Sequence, residues 1–187
     1  SGADVWREFY VNDAGNQMNN LAASVNARYL ELLGKPAEIP ENGYHGHDII
    51  ETAQAIIDQD GEKDLDMPEE ERLELFKDRA YAEKLKALKR DLAQFNVHYD
   101  NSFSERTLHP DAIQAACKVL EELGKIYEKD GALWLKSTDY GDDKDRVVIR
   151  DNGVPTYLAA DIAYHKNKYD RGFKKMINIW GADHHGY

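Results

Sequence analysis

The sequence predicts an α/β protein in which a small parallel sheet is interrupted by a mostly helical α+β insertion. A strand-like run followed by a helix-like run opens the chain, at about 5–34. A helix-like run followed by a second strand-like run occupies about 155–180. The residues between them are mainly helical in pattern, with short β candidates near the end. Alternating strands and helices of this kind build open sheets with helices on their faces.

Composition indicates a globular protein. Of the 187 residues, 42% are hydrophobic and 32% are charged, with a net charge of −11. This excludes a wholly disordered chain and a broadly basic nucleic-acid wrapper. The single cysteine, Cys117, excludes an intramolecular disulfide and fits a reducing compartment. No apolar run approaches the roughly 20 residues that span a bilayer. We therefore expect a cytoplasmic protein without membrane contact.

The two outer parts supply the predicted sheet. Residues 5–11 are rich in aromatic and β-branched side chains, which favour a strand. Apolar residues then recur at helical spacing until Gly34 and Pro36 end the helix. After Pro155 a helical pattern leads to a second strand-like run at 174–180. We predict that residues 5–11 and 175–180 are neighbouring parallel strands. Because strand-like runs lie close to both ends of the sequence, we expect this chain to be a piece of a longer protein.

The middle of the chain contains helices and short strands. Pro68 and Pro110 suit the first turns of two helices, and we predict that the first helix buries an apolar stripe that extends to Phe95. We expect Cys117 to be an inert core residue. Gly131 supplies a turn between strands. The predicted elements are helices at about 47–58, 68–95 and 110–123, and strands at 97–103, 126–128, 132–136 and 146–150.

Polar clusters follow both predicted outer strands. Open α/β sheets bind ligands outside the carboxyl ends of their strands, so neighbouring strands would bring the two clusters to one crevice. The small glycines would let backbone approach a ligand closely. The candidate residues are Asn12, Asp13, Gln17, Gly181, Asp183, His184 and His185.

Tyr157 and Asp161 form a second candidate site on the last predicted helix. They are four residues apart and therefore share one helix face. Asp161 is flanked by small apolar residues. A carboxylate in such surroundings can pair with a cationic ligand, and a guanidinium binding through two parallel hydrogen bonds is the strongest such partner. A plain surface acid is the alternative.

Other chemistries receive less support. A zinc-binding domain could use His45, His47, Asp183 and His184, although their spacing matches no zinc motif that we recognise. The sequence has no Gly-x-Ser-x-Gly element of a serine hydrolase. Nor does it have a glycine-rich phosphate loop, because its glycines are isolated in turns.

Several motifs resemble those of arginyl-tRNA synthetases, which are class I aminoacyl-tRNA synthetases. The resemblance covers nearly the whole chain, and the motifs occur in the family's order. In this sequence they read Phe-Tyr-Val-Asn-Asp-Ala-Gly-Asn-Gln at 9–17, Ser-Glu-Arg at 104–106, Gly-Ala-Leu-Trp-Leu at 131–135, Asp-Lys-Asp-Arg-Val at 143–147, Thr-Tyr-Leu-Ala-Ala-Asp-Ile-Ala-Tyr-His at 156–165 and Trp-Gly-Ala-Asp-His-His-Gly-Tyr at 180–187.

The resemblance implies an internal fragment of a catalytic domain. Residues 3–39 and 154–187 would be two parts of a Rossmann-type nucleotide-binding fold, and residues 40–153 would be the inserted domain of helices plus a small β-meander. The family charges tRNA(Arg) with arginine through arginyl adenylate and uses ATP with Mg²⁺ as substrates. The full enzyme would be a monomer with arginine, ATP and tRNA(Arg) as its partners. The fragment could associate with itself through open sheet edges.

The resemblance also assigns roles to residues. Tyr157 and Asp161 would bind the guanidinium of arginine, and Asp183 would join them. His184 and His185 would flank the nucleotide side. Asn12, Asp13, Gln17 and Gly181 would line the pocket edge. The family's His-Ile-Gly-His-like and Lys-Met-Ser-Lys-like signatures are absent from this sequence. We therefore expect the fragment to be inactive alone, without catalytic residues, a metal site or a tightly bound cofactor. A free-standing arginine- or nucleotide-binding module is the alternative.

Overall fold

The structure is a computed structural model that describes residues 2–182. The described chain contains five strands and five α-helices, joined by loops and three short 3₁₀ turns. It divides into two compact units, the first ending at Ser104 and the second beginning at Glu105. In chain order the elements are β1 (Glu8–Val11), α1 (Asn16–Leu32), α2 (His47–Asp60), α3 (Glu69–Gln94), β2 (Asn101–Ser104), α4 (Asp111–Glu122), β3 (Ile126–Lys129), β4 (Ala132–Leu135), β5 (Arg146–Ile149) and α5 (Tyr157–Asp170).

Three helices form the core of the first unit. Helix α1 packs against both α2 and α3. The rings of Tyr29 and Phe76 meet edge to face with centroids 4.9 Å apart, and neither side chain is exposed. The Tyr29 hydroxyl donates to the backbone oxygen of Gly61 at 3.1 Å, so the one polar atom of this aromatic pair is satisfied. The core residues are Leu21, Val25, Tyr29, Ile49, Ala53, Ile56, Phe76 and Ala80.

A two-stranded parallel sheet completes the first unit. Glu8 pairs with Asn101 and Val11 with Ser104. Parallel neighbours need a crossover connection, and here the connection contains α1, α2 and α3. Before the ladder begins, Asp100 accepts hydrogen bonds from the backbone N–H of Arg7 at 2.8 Å and from its guanidinium Nε at 3.2 Å. This ion pair fixes the register of the β1–β2 pair at its amino-terminal end.

An antiparallel meander and two helices form the second unit. Strands β3, β4 and β5 are adjacent in that order. The β3–β4 turn is the dipeptide Asp130-Gly131, and both residues have positive φ, as a two-residue type I′ hairpin requires. Helix α4 packs against α5. The mixed α/β class and the meander predicted from the sequence are confirmed.

The prediction of a strand at 175–180 paired with the first strand is wrong. Residues 174–180 have no regular secondary structure, and β1 pairs with β2 instead. A β-rich composition yields a strand only where a ladder partner is available, and no described residue pairs with this segment. Most of its side chains accordingly lie in solvent, with Ile177 74% and Ile179 92% exposed. The first strand is also shorter than predicted, since Val5 and Trp6 lie outside the ladder and are exposed.

The long helix α3 buries less of its apolar stripe than the sequence predicts. Arg72, Phe76 and Ala80 are its buried residues, all in its amino-terminal half, and Phe95 just beyond its end is 80% exposed. The prediction for Phe95 is therefore wrong. Cys117 is buried as predicted, and burial raises the pKa of its thiol, which disfavours the reactive thiolate. None of the helices in residues 2–182 has the length and hydropathy of a membrane-spanning segment.

Candidate functional site

The carboxyl ends of β1 and β2 form one polar edge in the first unit. Val11 and Ser104, the last residues of the two strands, are register partners. Two residues past β1, Asp13 is 1% exposed, and its Oδ2 accepts a hydrogen bond from Ser104 Oγ at 2.6 Å. Its backbone N–H donates to the Val11 oxygen at 3.0 Å. Asp13 therefore ties the two strand ends together.

Asn12 and Gln17 are exposed on either side of this buried carboxylate. Gly15 is the N-cap residue of α1, and no side chain caps the first turn. That turn also contains no acidic residue. The amino end of a helix has partial positive charge and unpaired N–H groups. The edge thus combines two amide side chains with a helix terminus, which is chemistry suited to a polar or anionic group.

Helix α5 presents the second candidate site, in the second unit. The N-cap residue Thr156 donates from its backbone N–H to the Val148 oxygen at 3.0 Å and from Oγ1 to the Val147 oxygen at 2.9 Å. These bonds attach the helix start to strand β5. The next residue, Tyr157, is 64% exposed, and Asp161 follows one turn later and is half-buried. The two side chains are on the face expected from their spacing.

The buried residues of α5 explain this orientation. The buried residues of the helix are Ala159, Ala160, Ala163 and Tyr164, and the three alanines are at most 3% exposed. Such small side chains let α5 pack closely within its unit. Tyr157 and Asp161 are thereby held on a rigid element rather than on a loop.

Side chains further along α5 contact the segment that follows the helix. His165, one turn beyond Asp161, has its Nδ1 2.8 Å from the Asp161 backbone oxygen. Its Nε2 lies 3.1 Å from Asn178 Nδ2. Lys168 Nζ lies 3.3 Å from Asn178 Oδ1 and 4.2 Å from the centroid of the Tyr164 ring. Sequence reasoning missed His165 and Asn178 as a pair. The four-residue spacing from Asp161 could have indicated His165.

The remaining predicted site residues lie in different parts of the chain. Gly181 is described and exposed. Asp183, His184 and His185 lie outside the described residues. The first unit contains Asn12, Asp13 and Gln17 and the second contains Tyr157 and Asp161, so a shared crevice stays a prediction. His47 is exposed and contacts Glu51 at 3.2 Å. No group of three or more histidine, cysteine or acidic side chains that could hold a metal occurs within residues 2–182.

The second unit also contains a groove. Its volume is about 500 Å³, and it lies between α4 and the meander. Its lining is largely apolar and includes Cys117, but no predicted binding residue. The lining residues are Pro110, Ile113, Gln114, Cys117, Lys118, Glu121, Ile126, Leu133, Ile149, Gly153 and Pro155.

The sequence is similar to curated bacterial proteins over its whole length. It is 55% identical over 188 aligned residues to an arginine–tRNA ligase of Carboxydothermus hydrogenoformans, which covers 100% of this chain and 34% of that protein. It is 56% identical to an arginine–tRNA ligase of Moorella thermoacetica, with 100% and 33% covered. No family model matches the chain.

Solved structures agree with the sequence comparison. A Campylobacter jejuni protein whose crystal structure was assigned as an arginyl-tRNA synthetase superposes with a TM-score of 0.83 at 42% identity. That superposition covers 96% of this chain and 39% of that one. Arginyl-tRNA synthetase of Plasmodium falciparum superposes with a TM-score of 0.58 over 87% of this chain, at 14% identity, and so shares the fold.

These matches confirm the resemblance read from the motifs. The chain spans about a third of the length of the curated relatives that it matches. Identity above one half along the entire chain, together with the close superposition, leaves no unmatched part of the sequence. The chain is thus homologous over its whole length to a segment of the arginine–tRNA ligases.

Proposed function

We propose that the chain is part of an arginine–tRNA ligase, which activates arginine with ATP to arginyl adenylate and transfers it to tRNA(Arg). The observation that supports this is the identity of 55–56% to ligases of that name along all of this chain. The proposed parent is a monomeric cytoplasmic enzyme of translation. Neither a free-standing binding module nor a zinc-binding domain is favoured by these comparisons.

In this proposal Tyr157 and Asp161 bind the arginine side chain, and Asp183 joins them. The slot must distinguish a guanidinium from the ammonium of lysine, and charge alone cannot do so. A carboxylate supplies two acceptor oxygens in one plane, which match the planar fork of a guanidinium. Half-burial of Asp161 strengthens that pairing relative to a fully solvated acid, because water screens it less.

The nucleotide side is proposed for the edge beyond β1, together with Gly181, His184 and His185. Asn12 and Gln17 are the exposed polar groups there. Asp13 has a different role in the proposal. Its buried carboxylate is bonded to Ser104, so it shapes the edge rather than contacting ATP. The amino terminus of α1 adds partial positive charge that suits phosphate oxygens.

The proposed chemistry needs no general base in this chain. The arginine carboxylate is already ionised at neutral pH and attacks the α-phosphorus of ATP, and pyrophosphate leaves. Catalysis is then positioning plus stabilisation of charge on the α-phosphate. Mg²⁺ would enter with the ATP phosphates as part of the substrate.

The domain organisation is also a proposal. Residues 3–39 and 154–187 would form two parts of a Rossmann-type catalytic domain, with 40–153 inserted between them. Strand β1 followed directly by helix α1 is compatible with such a domain. Strand β2, the ladder partner of β1, lies within 40–153 in this division. Both strands have an open edge in the described chain, so we expect the isolated chain to associate with itself at high concentration.

Exchange of labelled pyrophosphate into ATP tests the proposal. The complete protein that contains this chain, supplied with tRNA(Arg), should catalyse exchange that depends on arginine. Lysine at the same concentration is the matched control, because it has the same charge without the planar fork. Exchange driven equally well by lysine, or no exchange with either amino acid, would refute the proposed activity.

A further inference from the structure

A chain of polar contacts connects α5 with the segment that follows it. In order, it joins the Asp161 backbone oxygen, the His165 ring, the Asn178 side-chain amide and the Lys168 ammonium. The distances are 2.8, 3.1 and 3.3 Å, all within hydrogen-bonding range. Three of these residues belong to α5, and Asn178 is the partner that the following segment contributes.

Chemistry allows one arrangement of hydrogens in this chain of contacts. A carbonyl oxygen only accepts, so His165 Nδ1 must bear its proton. An ammonium only donates, so Asn178 must present its oxygen to Lys168 and its NH₂ to His165. His165 Nε2 then has to accept, which a neutral imidazole with its proton on Nδ1 does. A doubly protonated ring would set Nε2–H against the Asn178 NH₂ group. Turning the amide over would set that NH₂ against the Lys168 ammonium.

We propose that Asn178 and His165 are positioning residues for the arginine site, an inference that rests on the proposed function. Their contact fixes segment 174–180 along α5 at a defined point, one helical turn past Asp161. The segment leads within three residues to Gly181, where the second polar cluster begins. Fixing Asn178 therefore fixes the backbone that enters this cluster relative to Asp161.

The Asn178 contact ties a segment without regular secondary structure to α5. Residues 174–180 make no strand ladder with any described residue, and Ile177 and Ile179 are largely in solvent. Lys168 itself is held over the Tyr164 ring, whose side chain is 8% exposed. The tether is thus anchored at one end to a buried aromatic residue and at the other to the backbone of Asp161.

Imidazole ¹⁵N NMR on this chain tests the contact directly. Histidine in water favours the tautomer with its proton on Nε2. The proposal requires the opposite tautomer, with the proton on Nδ1, for His165. Asn178→Leu should shift the Nε2 resonance, because Nε2 loses its hydrogen-bond donor, while the proton stays on Nδ1 opposite the Asp161 backbone oxygen. Ile177→Ala on the same segment should leave the Nε2 resonance unchanged. A native His165 with its proton on Nε2, or an Nε2 resonance that does not respond to Asn178→Leu, would overturn the contact.

Steady-state kinetics of the complete ligase test the positioning role. Asn178→Leu should raise the KM for arginine about tenfold, since two modest hydrogen bonds disappear, while the KM for ATP changes less than about twofold. His165→Leu should do the same, and the double variant should be no worse than either single one, because both break one tether. A merely structural role would instead lower kcat with both KM values unchanged.

These outcomes separate the two proposals. A confirmed Asn178–His165 contact with an unchanged arginine KM would overturn the positioning role and leave the ligase activity standing. Absence of arginine-dependent exchange in the unmodified ligase would overturn the proposed function and the positioning role together. Should Asn178→Leu fail to fold by circular dichroism, Asn178→Ala serves instead. It removes both the acceptor for Lys168 and the donor to His165 with a smaller side chain, so the same rise in arginine KM is required.

Discussion

Ser104 donates a 2.6 Å hydrogen bond to the buried carboxylate of Asp13, 91 residues away in sequence, where β1 and β2 end together. Asp13 lies two residues past the end of β1, and Ser104 is the last residue of β2. The bond therefore closes the pair at its carboxyl end, as Arg7 and Asp100 close it at the amino end. The predicted ligand-binding edge rests on this closure.

Ser104→Ala should destabilise the chain, because it removes a donor from a carboxylate that is 1% exposed. We expect a loss of about 1–3 kcal/mol in the free energy of unfolding, as for a hydrogen bond to a buried charged group. Urea unfolding followed by circular dichroism measures it. Ser102→Ala on the same strand is the control and should stay within about 0.5 kcal/mol of wild type. Equal losses of unfolding free energy in the two variants would show that the hydrogen bond from Ser104 to Asp13 contributes nothing to stability.

The Arg7–Asp100 pair should make stability depend on pH at the acid end. Hydrogen bonding from the Arg7 side chain and backbone lowers the pKa of Asp100 below its ordinary value. A carboxyl whose pKa is depressed by folding stabilises above its unfolded pKa, near 4, and loses that effect as pH falls through the folded pKa. Arg7→Gln removes the guanidinium and keeps the backbone donor.

Wild type should therefore be more stable than Arg7→Gln from neutral pH down to about 4, and the difference should shrink below that. Urea midpoints measured at intervals from pH 7 to pH 2 follow this difference. Because both side chains are accessible to solvent, added salt should reduce it. A difference that is constant across this range would argue that the guanidinium acts through packing and not through its charge.

In the complete ligase, Asp161→Asn should raise the KM for arginine far more than the KM for ATP. Asn keeps one acceptor oxygen and turns the other into a donor facing a donor, a loss of roughly 2–5 kcal/mol for a desolvated charged pair. Tyr157→Phe should cost less, about 0.5–1.5 kcal/mol, because one neutral hydrogen bond disappears. Steady-state kinetics at saturating ATP and tRNA measure both.

Asp170→Asn on the same helix is the matched control, since Asp170 is an exposed acid paired with Lys166. It should leave arginine kinetics within about twofold. If Asp161→Asn behaves like Asp170→Asn, Asp161 is a surface acid and has no part in arginine recognition.

The chain by itself should not catalyse aminoacylation or arginine-dependent pyrophosphate exchange. The two class I signatures that the resemblance associates with charge stabilisation at the α-phosphate are absent from its sequence. Losing even one comparable donor typically costs on the order of 10²-fold or more in rate. Sensitive exchange assays with tRNA(Arg) present check this, and turnover above that of a heat-denatured sample would contradict it.

Local sequence signals predicted the elements well. Gly34 and Pro36 ended α1 nearly where the structure ends it, and the Asp130-Gly131 turn set the β3–β4 hairpin. These features depend on backbone preferences within a few residues. The face shared by Tyr157 and Asp161 follows from the helical repeat alone. Such properties need no knowledge of what packs against the element.

Long-range pairing could not be predicted in the same way. The run at 174–180 has the composition of a strand as clearly as β1 does, yet it pairs with no described residue. Strand partner choice depends on contacts far away in sequence, which composition does not encode. The same reason explains Phe95, whose place on the apolar stripe of α3 says nothing about whether a neighbour reaches it. The Asn178–His165 contact likewise crosses a turn that no periodicity spans.

The parallel pair has a consequence for the order of folding. Glu8 and Asn101 are 93 residues apart, whereas α1, α2 and α3 form their mutual core from contacts closer in sequence. Joining the strands first would cost the entropy of closing that long loop, while collapse of the helices shortens it beforehand. We therefore expect the helices to associate early and β1 to dock onto β2 late. The edge proposed to bind ATP would then be the last part of the first unit to form during folding.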